Sequence, residues 1–146
     1  MPKRILLFVL CAVVLFAGCS EKNGTYKHYY QSGQLQAEEF YLNGKKNGTW
    51  KEWHENGQLL AEVKFKDGKR HGIEKLWHEK GQLQYETNYK NGKKHGIEKQ
   101  WYQNGKLKAE INFQNGIRQG IGKEYNRDGK IIKKFHRETG KKVKEE

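Results

Sequence analysis

Histidine is the residue type of this 146-residue chain with the widest chemistry, and four of its six histidines recur at a fixed spacing. His54 and His78 are 24 residues apart, as are His71 and His95. If 24 residues form two adjacent strands, the members of each pair lie about 9.6 Å apart. That is too far for one metal ion bound through Zn–N distances of about 2.0–2.1 Å. We therefore expect no metal site and interpret these histidines as surface or half-buried aromatic positions.

The sequence contains no recognisable arrangement of a nucleophile and a base. Its serines are Ser20 and Ser32, and neither has a histidine at an informative spacing. Four glutamates recur at one phase, and they are better explained as partners of lysines than as general bases. They are Glu38, Glu62, Glu86 and Glu110. We therefore expect a protein that is not an enzyme and that has no cofactor and no small-molecule substrate.

Basic side chains recur in the turns between repeats, and the whole chain carries a net charge of +12. We expect them to form one long basic edge, with a charged group about every 9.6 Å. The members of this basic edge are Lys45, Lys46, Lys69, Arg70, Lys93, Lys94 and Arg118. Such an edge could bind an acidic protein or anionic lipid headgroups. Alternatively, its lysines only keep exposed turns soluble and strand edges unpaired.

A second recurring set is aromatic, since Trp53, Trp77 and Trp101 occupy one phase of the repeat. We expect these tryptophans to form an aromatic face that binds a protein partner. Basic charge interleaved with aromatic rings is also typical of nucleic-acid binding. The N-terminal sequence predicts export, however, so we expect no nucleic-acid partner.

The first residues have the composition of an export signal. Lys3 and Arg4 precede an apolar run over residues 5–17, which is shorter than the roughly 20 residues that span a bilayer as a helix. The run ends in "LFAGC", which resembles the bacterial lipobox, where lipoprotein signal peptidase cuts before an acylated cysteine. This resemblance implies a signal peptide over residues 1–18, a lipidated Cys19 and a short tether over 19–22. The alternative is ordinary cleavage, with Cys19 unmodified.

Cleavage at this point would remove Cys11 and leave Cys19 as the remaining cysteine of the chain. No disulfide, zinc site or thiol chemistry is then expected within one chain. We expect the mature protein to lie in the bacterial cell envelope, exposed outside the cytoplasm and held to a membrane through the lipid on Cys19.

The elements that position these side chains are dictated by a strict repeat of 24 residues. The repeats cover 23–46, 47–70, 71–94, 95–118 and 119–142, with a charged tail over 143–146. Glycine returns at three fixed phases in each repeat, as at Gly72, Gly81 and Gly92. Between the glycines lie short runs rich in aromatic and β-branched residues, each bounded by turn residues, which predicts one β-hairpin per repeat.

Five such hairpins predict an all-β fold, an elongated single-layer antiparallel sheet of ten strands. Second-strand residues such as Leu59, Ala61, Val63 and Phe65 should alternate onto one buried face.

The register of the hairpins is left open by the sequence. A two-residue turn would place Lys75 opposite Glu86, whereas a three-residue turn with a bulge would place Trp77 opposite Leu83.

The last repeat departs from the others and is expected to act as a polar cap. The departures are Gly122, Lys133, Lys134 and Arg137. Because Gly122 lies outside the three glycine phases, we expect its replacement to be milder than replacement of Gly81 or Gly92.

The recurring pattern G-x-x-K-x-W/Y-x-x-x-G-x-L-x-x-E-x-x-Y/F-x-N/D-G-K-K resembles the bacterial variant of the MORN repeat, as found in the YwqK-like antitoxin family. The resemblance covers residues 23–142. It implies protein association, and sometimes contact with phospholipid. We therefore expect a membrane-anchored lipoprotein whose repeats form a protein-binding scaffold with an antitoxin-like or immunity-like role. The alternative is an envelope-structural protein that binds anionic lipid or polymer through its basic edge.

Overall fold

The computed structural model describes residues 21–138 and 141–142, and all the regular elements in these ranges are β-strands. The strands are β1 Gly24–Tyr29, β2 Leu35–Leu42, β3 Lys45–Lys46, β4 Gly48–Trp53, β5 Leu59–Lys66, β6 Lys69–Trp77, β7 Leu83–Lys90, β8 Lys93–Lys94, β9 Gly96–Trp101, β10 Leu107–Gln114, β11 Ile117–Arg118, β12 Gly120–Tyr125, β13 Ile131–Glu138 and β14 Lys141–Lys142. The predicted signal peptide, Cys19 and the charged tail lie outside the described residues. Within the described ranges, no helix is present that could span a membrane.

The strands form one antiparallel sheet in chain order, which confirms the predicted fold. Ten long strands make five hairpins, and the two-residue strands β3, β8, β11 and β14 pair antiparallel with the ends of β2, β7, β10 and β13. The short strands were not predicted. They form because the inter-repeat connection contains a tight turn, as at Asn43 (φ 50°) and Gly44 (φ 70°). Positive φ at both central residues is the geometry of a type I′ hairpin turn, which Asn-Gly favours.

Both registers that the sequence left open occur in the same hairpin. Lys75 lies opposite Glu86, and Trp77 lies opposite Leu83, because a bulge between Leu76 and Trp77 absorbs the difference. The same irregularity recurs at the corresponding place in the other four hairpins. A bulge inserts one extra residue in one strand and so shifts the pairing beyond it by one.

The repeated register produces a row of alternating charge across nine consecutive strands, which we name the charge ladder. Its members, in spatial order, are Lys27, Glu38, Lys51, Glu62, Lys75, Glu86, Lys99, Glu110 and Lys123. Lys27 Nζ lies 3.3 Å from Glu38, and Lys75 Nζ lies 3.5 Å from Glu86. Such cross-strand pairs contribute about 0.2–1 kcal/mol each. At the next strand the alternation ends, since Lys134 lies opposite Lys123.

The core lies on the face of the sheet opposite the charge ladder, which we name the core face. Its buried apolar residues are Ala37, Ala61, Val63, Tyr89, Ala109, Ile111 and Phe113. Ala61 and Val63 follow the predicted alternation, but Leu59 does not. The bulge pairs Leu59 with Trp53, and because neighbouring residues of a strand face opposite sides, this pair lies on the face opposite Ala61.

Gly122 also departs from the sequence-based expectation. It is buried on the core face opposite Phe135, which packs against the cluster of Ala109, Ile111 and Phe113. A Cβ atom on Gly122 would lie 2.2 Å from Phe135 Cε2. The expectation that replacement here is milder than at Gly81 or Gly92 did not include this contact, in which an aromatic ring occupies the space a side chain would need.

Candidate binding surfaces

The predicted basic edge divides into two sets of side chains that lie in different environments. Lys45, Lys69 and Lys93 are exposed, and we name them the outer lysines. Each lies against the next turn. For example, Lys45 Cβ is 3.7 Å from the position that a Cβ on Gly68 would occupy. Among the described side chains, the outer lysines make no ion pair within 4.0 Å, so this row keeps its charge.

The second set, Lys46, Arg70 and Lys94, turns toward the core face and meets acidic side chains. Lys46 Nζ lies 2.7 Å from Glu39, Arg70 lies 3.3 Å from Glu74, and Lys94 pairs with Glu98. These carboxylates are strongly shielded, with side-chain exposures of 15%, 12% and 3%. Three of the predicted binding cations are therefore already paired with carboxylates of this chain.

The same cations lie near aromatic rings of the core face. Lys46 Nζ is 5.3 Å from the centre of the Trp50 ring, and Lys94 Nζ is 5.0 Å from that of Phe113. A cation within about 6 Å of an aromatic ring face is attracted by it. The arrangement favours a structural role for these cations, which stabilise the edge of the core.

Arg118 is the exception in this inner set. The position four residues later, which holds Glu74 and Glu98 in earlier repeats, is Gly122. Its guanidinium carbon lies 5.9 Å from the centre of the Phe113 ring, and in the described part of the chain it has no carboxylate partner.

The acid of the first pair has a perturbed titration. Burial acts to raise the pKa of Glu39, but hydrogen bonds from Lys46 and Tyr41 outweigh it, so this pKa lies below its ordinary value of 4.5. Burial and the hydrogen bond to Glu39 raise the pKa of Tyr41 to about 12. Both shifts favour the ionised carboxylate hydrogen-bonded to a neutral phenol.

The predicted aromatic set does not gather into one pocket. Trp53, Trp77 and Trp101 end strands β4, β6 and β9, one repeat apart, and each is half-buried. The carbonyl of Trp53 accepts a hydrogen bond from Tyr30 Oη at 2.7 Å, and that of Trp77 lies 3.4 Å from His54 Nε2. These contacts join neighbouring repeats, and they place His54 at the half-buried aromatic position predicted from the sequence.

The sequence analysis missed a row of exposed isoleucines beside the charge ladder. Ile73, Ile97 and Ile121 are 43%, 54% and 61% exposed. Each lies two residues before a ladder lysine on the same strand, and therefore on the same face. We name this the isoleucine row. Asn88 and Asn112 lie between its members. The recurrence of isoleucine directly after the first glycine of three repeats was the signal that could have revealed it.

Comparison with protein families gave one match. The family described as "MORN repeat variant" matches residues 22–43, 46–67, 70–91 and 94–115, more than half of the chain. These segments hold the first four hairpins, whereas the fifth hairpin, β12–β13, forms outside the matched residues. A search of curated proteins found no match.

Proposed function

The chain belongs to the MORN repeat variant family, and from this premise we propose that it is a non-enzymatic lipoprotein that holds a protein partner at a bacterial cell envelope. Repeats of this family often mediate protein or membrane binding. The finer part of the proposal is an antitoxin-like or immunity-like role, in which the partner is a toxin. It is supported by the resemblance of the repeat pattern to the YwqK-like family.

The observation that carries the proposal of a protein partner is the isoleucine row beside the charge ladder. Three branched apolar side chains stay more than 40% exposed on a sheet face that no other element covers within the described residues. Exposed apolar side chains bordered by charge are typical of protein interfaces, where burial supplies affinity and charge sets the register.

The charges of the basic edge weigh against the membrane as the main partner. Lys46, Arg70 and Lys94 are paired with the shielded carboxylates of Glu39, Glu74 and Glu98. The outer lysines and Arg118 remain for an anionic surface, at about 1 kcal/mol per cation near the headgroups. Binding of anionic lipid or polymer through this row is the second candidate function, and the exposure of the outer lysines is what favours it.

The proposed anchor is tested by replacing Cys19 with Ala. Three residues separate Cys19 from the first repeat, so the tether reaches about 10 Å. The variant is expected to lose acylation and to be released from membranes. Mass spectrometry of the mature N-terminus decides the matter, since an unmodified terminus at another residue refutes the lipid anchor.

The proposed partner is tested with two matched triple variants of a soluble form that starts at Ser20. In the first, Ile73, Ile97 and Ile121 become Asn, the residue found between them in the same row. In the second, Lys45, Lys69 and Lys93 become Gln. Because all six side chains are exposed, both variants should melt within a few degrees of the parent protein.

Capture from an envelope extract, followed by identification of the bound protein, should be lost in the isoleucine variant and kept in the lysine variant. Binding to phosphatidylglycerol vesicles at physiological salt should be negligible. Strong vesicle binding that the lysine variant abolishes, together with capture that the isoleucine variant leaves intact, would reverse the order of the two functions.

A further inference from the structure

Two cations in the second half of the chain stand where earlier repeats carry uncharged or acidic residues. Lys108 takes a position held in earlier repeats by Gln36, Leu60 and Gln84. Arg127 takes a position held by Gln31, Glu55, Glu79 and Gln103. In a repeat array the common positions serve the stacking of the units. Departures from the repeat that converge in space therefore mark a feature that the array itself does not require.

These two departures converge on one aromatic ring. Lys108 Nζ lies 5.8 Å from the centre of the Tyr102 ring, and Arg127 Cζ lies 5.9 Å from it. The ring is held in place, because Tyr102 Oη donates a hydrogen bond of 2.8 Å to the Tyr125 carbonyl. Neither cation has a carboxylate within 4.0 Å among the described residues, so their charges remain available to a ligand.

Tyr102 and both cations line a pocket of about 450 Å³ that spans the third, fourth and fifth hairpins. This volume lies in the range of small-molecule sites, about 300–1,000 Å³. None of the lining residues is acidic. A concave site with two cations and no carboxylate selects anions.

The remaining walls combine side-chain amides with aromatic rings. Gln84 and Gln103 line the pocket, and their amides make no hydrogen bond to other described residues. Each amide is both a donor and an acceptor, as is a hydroxyl group. Tyr85 and Trp101 supply apolar ring surface. These walls suit a ligand that carries several hydroxyl groups on a compact ring.

One further polar group in the wall lacks a partner. Tyr30, His54 and Tyr102 occupy the same position in their repeats, and each ring contacts a main-chain carbonyl of the following repeat. At the same phase His78 Nε2 is buried, and it has no hydrogen-bond partner in the described part of the chain. The hydrogen bond that joins neighbouring repeats at this position is thus absent beside the pocket.

We propose that this pocket binds a sugar-like anion, in which a carboxylate or phosphate contacts Lys108 and Arg127 and ring hydroxyls contact the amides. Both groups present negatively charged oxygen atoms to the two cations. Sugar acids carry the carboxylate, and sugar phosphates carry the phosphate. This ligand site is separate from the isoleucine row and does not depend on the proposed protein partner.

The test measures binding to the full chain, purified in a neutral detergent, by titration calorimetry. The probes are glucuronate, glucose 6-phosphate, neutral glucose and inorganic phosphate. In the site variant, Lys108 and Arg127 both become Gln, the residue found one repeat earlier at each position. In the matched control, Lys66 and Lys90 become Gln, which removes the same charge from two exposed positions outside the pocket.

We expect glucuronate or glucose 6-phosphate to bind with a Kd on the order of 1 mM or tighter. Because the site variant loses charge-assisted hydrogen bonds, it should bind the anionic sugar at least about tenfold more weakly. Neutral glucose has no oxyanion to accept these bonds, so it should bind the parent protein at least about tenfold more weakly as well. The control variant should stay within about twofold, and equal melting temperatures should show that both variants are folded.

Three outcomes would overturn the proposal. One is that neither anionic sugar binds. Another is that both double variants weaken binding equally, which would mean that overall charge attracts the ligand. The third is that inorganic phosphate binds as tightly as glucose 6-phosphate, which would remove the role of the sugar ring. Preference for glucuronate or for glucose 6-phosphate identifies the oxyanion.

Discussion

Replacement of Gly122 by Ala should destabilise the fifth hairpin by displacing one ring. An alanine Cβ would lie 2.2 Å from Phe135 Cε2 and 2.3 Å from Cζ, whereas ordinary contacts begin near 3.4 Å. The Phe135 ring must therefore move by about 1 Å, away from Ala109, Ile111 and Phe113. Overpacking of this kind typically costs about 1–3 kcal/mol.

The sign of the change in stability should reverse when the Phe135 ring is absent. Gly122 is not at positive φ, so alanine fits its backbone, and alanine in a strand is about 0.5–1 kcal/mol more favourable than glycine. With Phe135 replaced by Ala, the Gly122→Ala change should therefore become stabilising. Such a reversal is the mark of two residues coupled by direct contact.

Gly105→Ala provides the matched control. Gly105 has φ of 79°, and nothing lies within 4 Å of the added Cβ. Its cost, about 1–2 kcal/mol from the left-handed backbone alone, should be the same with Phe135 or Ala at position 135. Amide hydrogen exchange along β12 reports this local stability, together with urea unfolding of the whole array. An equal cost of Gly122→Ala in both backgrounds would refute the contact with Phe135 as the cause.

Three further predictions concern titratable groups. Glu98→Gln should lower the free energy of unfolding in urea by about 1–3 kcal/mol, because it leaves Lys94 without its buried partner. Glu86→Gln in the charge ladder should lower it by about 1 kcal/mol or less. Equal losses would contradict the difference in burial between the two glutamates. Because the pKa of Glu39 is lowered by folding, its contribution to the free energy of unfolding should be fully present above its ordinary pKa of 4.5 and be lost as pH falls through the lower folded value. Glu39→Gln should therefore make the free energy of unfolding less dependent on pH in that acid range. An unchanged pH profile would contradict the shift. Tyr41, with its pKa raised to about 12, should ionise after the ordinary tyrosines in an alkaline absorbance titration, and Glu39→Gln should bring its transition to lower pH.

The repeat could be predicted from the sequence because glycine and the aromatic residues return at constant phase. Asn43-Gly44 and its equivalents mark the turns, and the runs between them are too short for helices, so the ten-strand sheet followed. The register could not be predicted, because a two-residue turn and a bulged three-residue turn are alternatives in a hairpin without an internal bulge. One bulge at Leu76 and Trp77 lets the same hairpin satisfy both.

The shielded acids were missed because the three do not all share one phase, although Glu74 and Glu98 do. Glu39 lies on the second strand of its repeat, whereas Glu74 and Glu98 lie on the first strands of theirs. Glu74 and Glu98 lie four residues after Arg70 and Lys94, whereas Glu39 lies seven residues before Lys46, so no single spacing marks all three pairs. The packing at Gly122 could not be predicted either. In the sequence it is a glycine outside the three repeating phases, whereas in the sheet it makes room for a ring thirteen residues later.

The charge ladder has a consequence for how arrays of this kind can change in length. Each of the first four 24-residue units contributes one lysine and one glutamate to the ladder and leaves a glutamate on its trailing strand. Removal of residues 71–94 would bring Glu62 beside Lys99, and it would set Glu98 four residues after Arg70 in place of Glu74. Duplication of the same segment would keep both patterns as well. Units can thus be gained or lost by recombination between repeats without placing like charges side by side, so an ancestral gene could lengthen or shorten its array with no compensating mutation in this row.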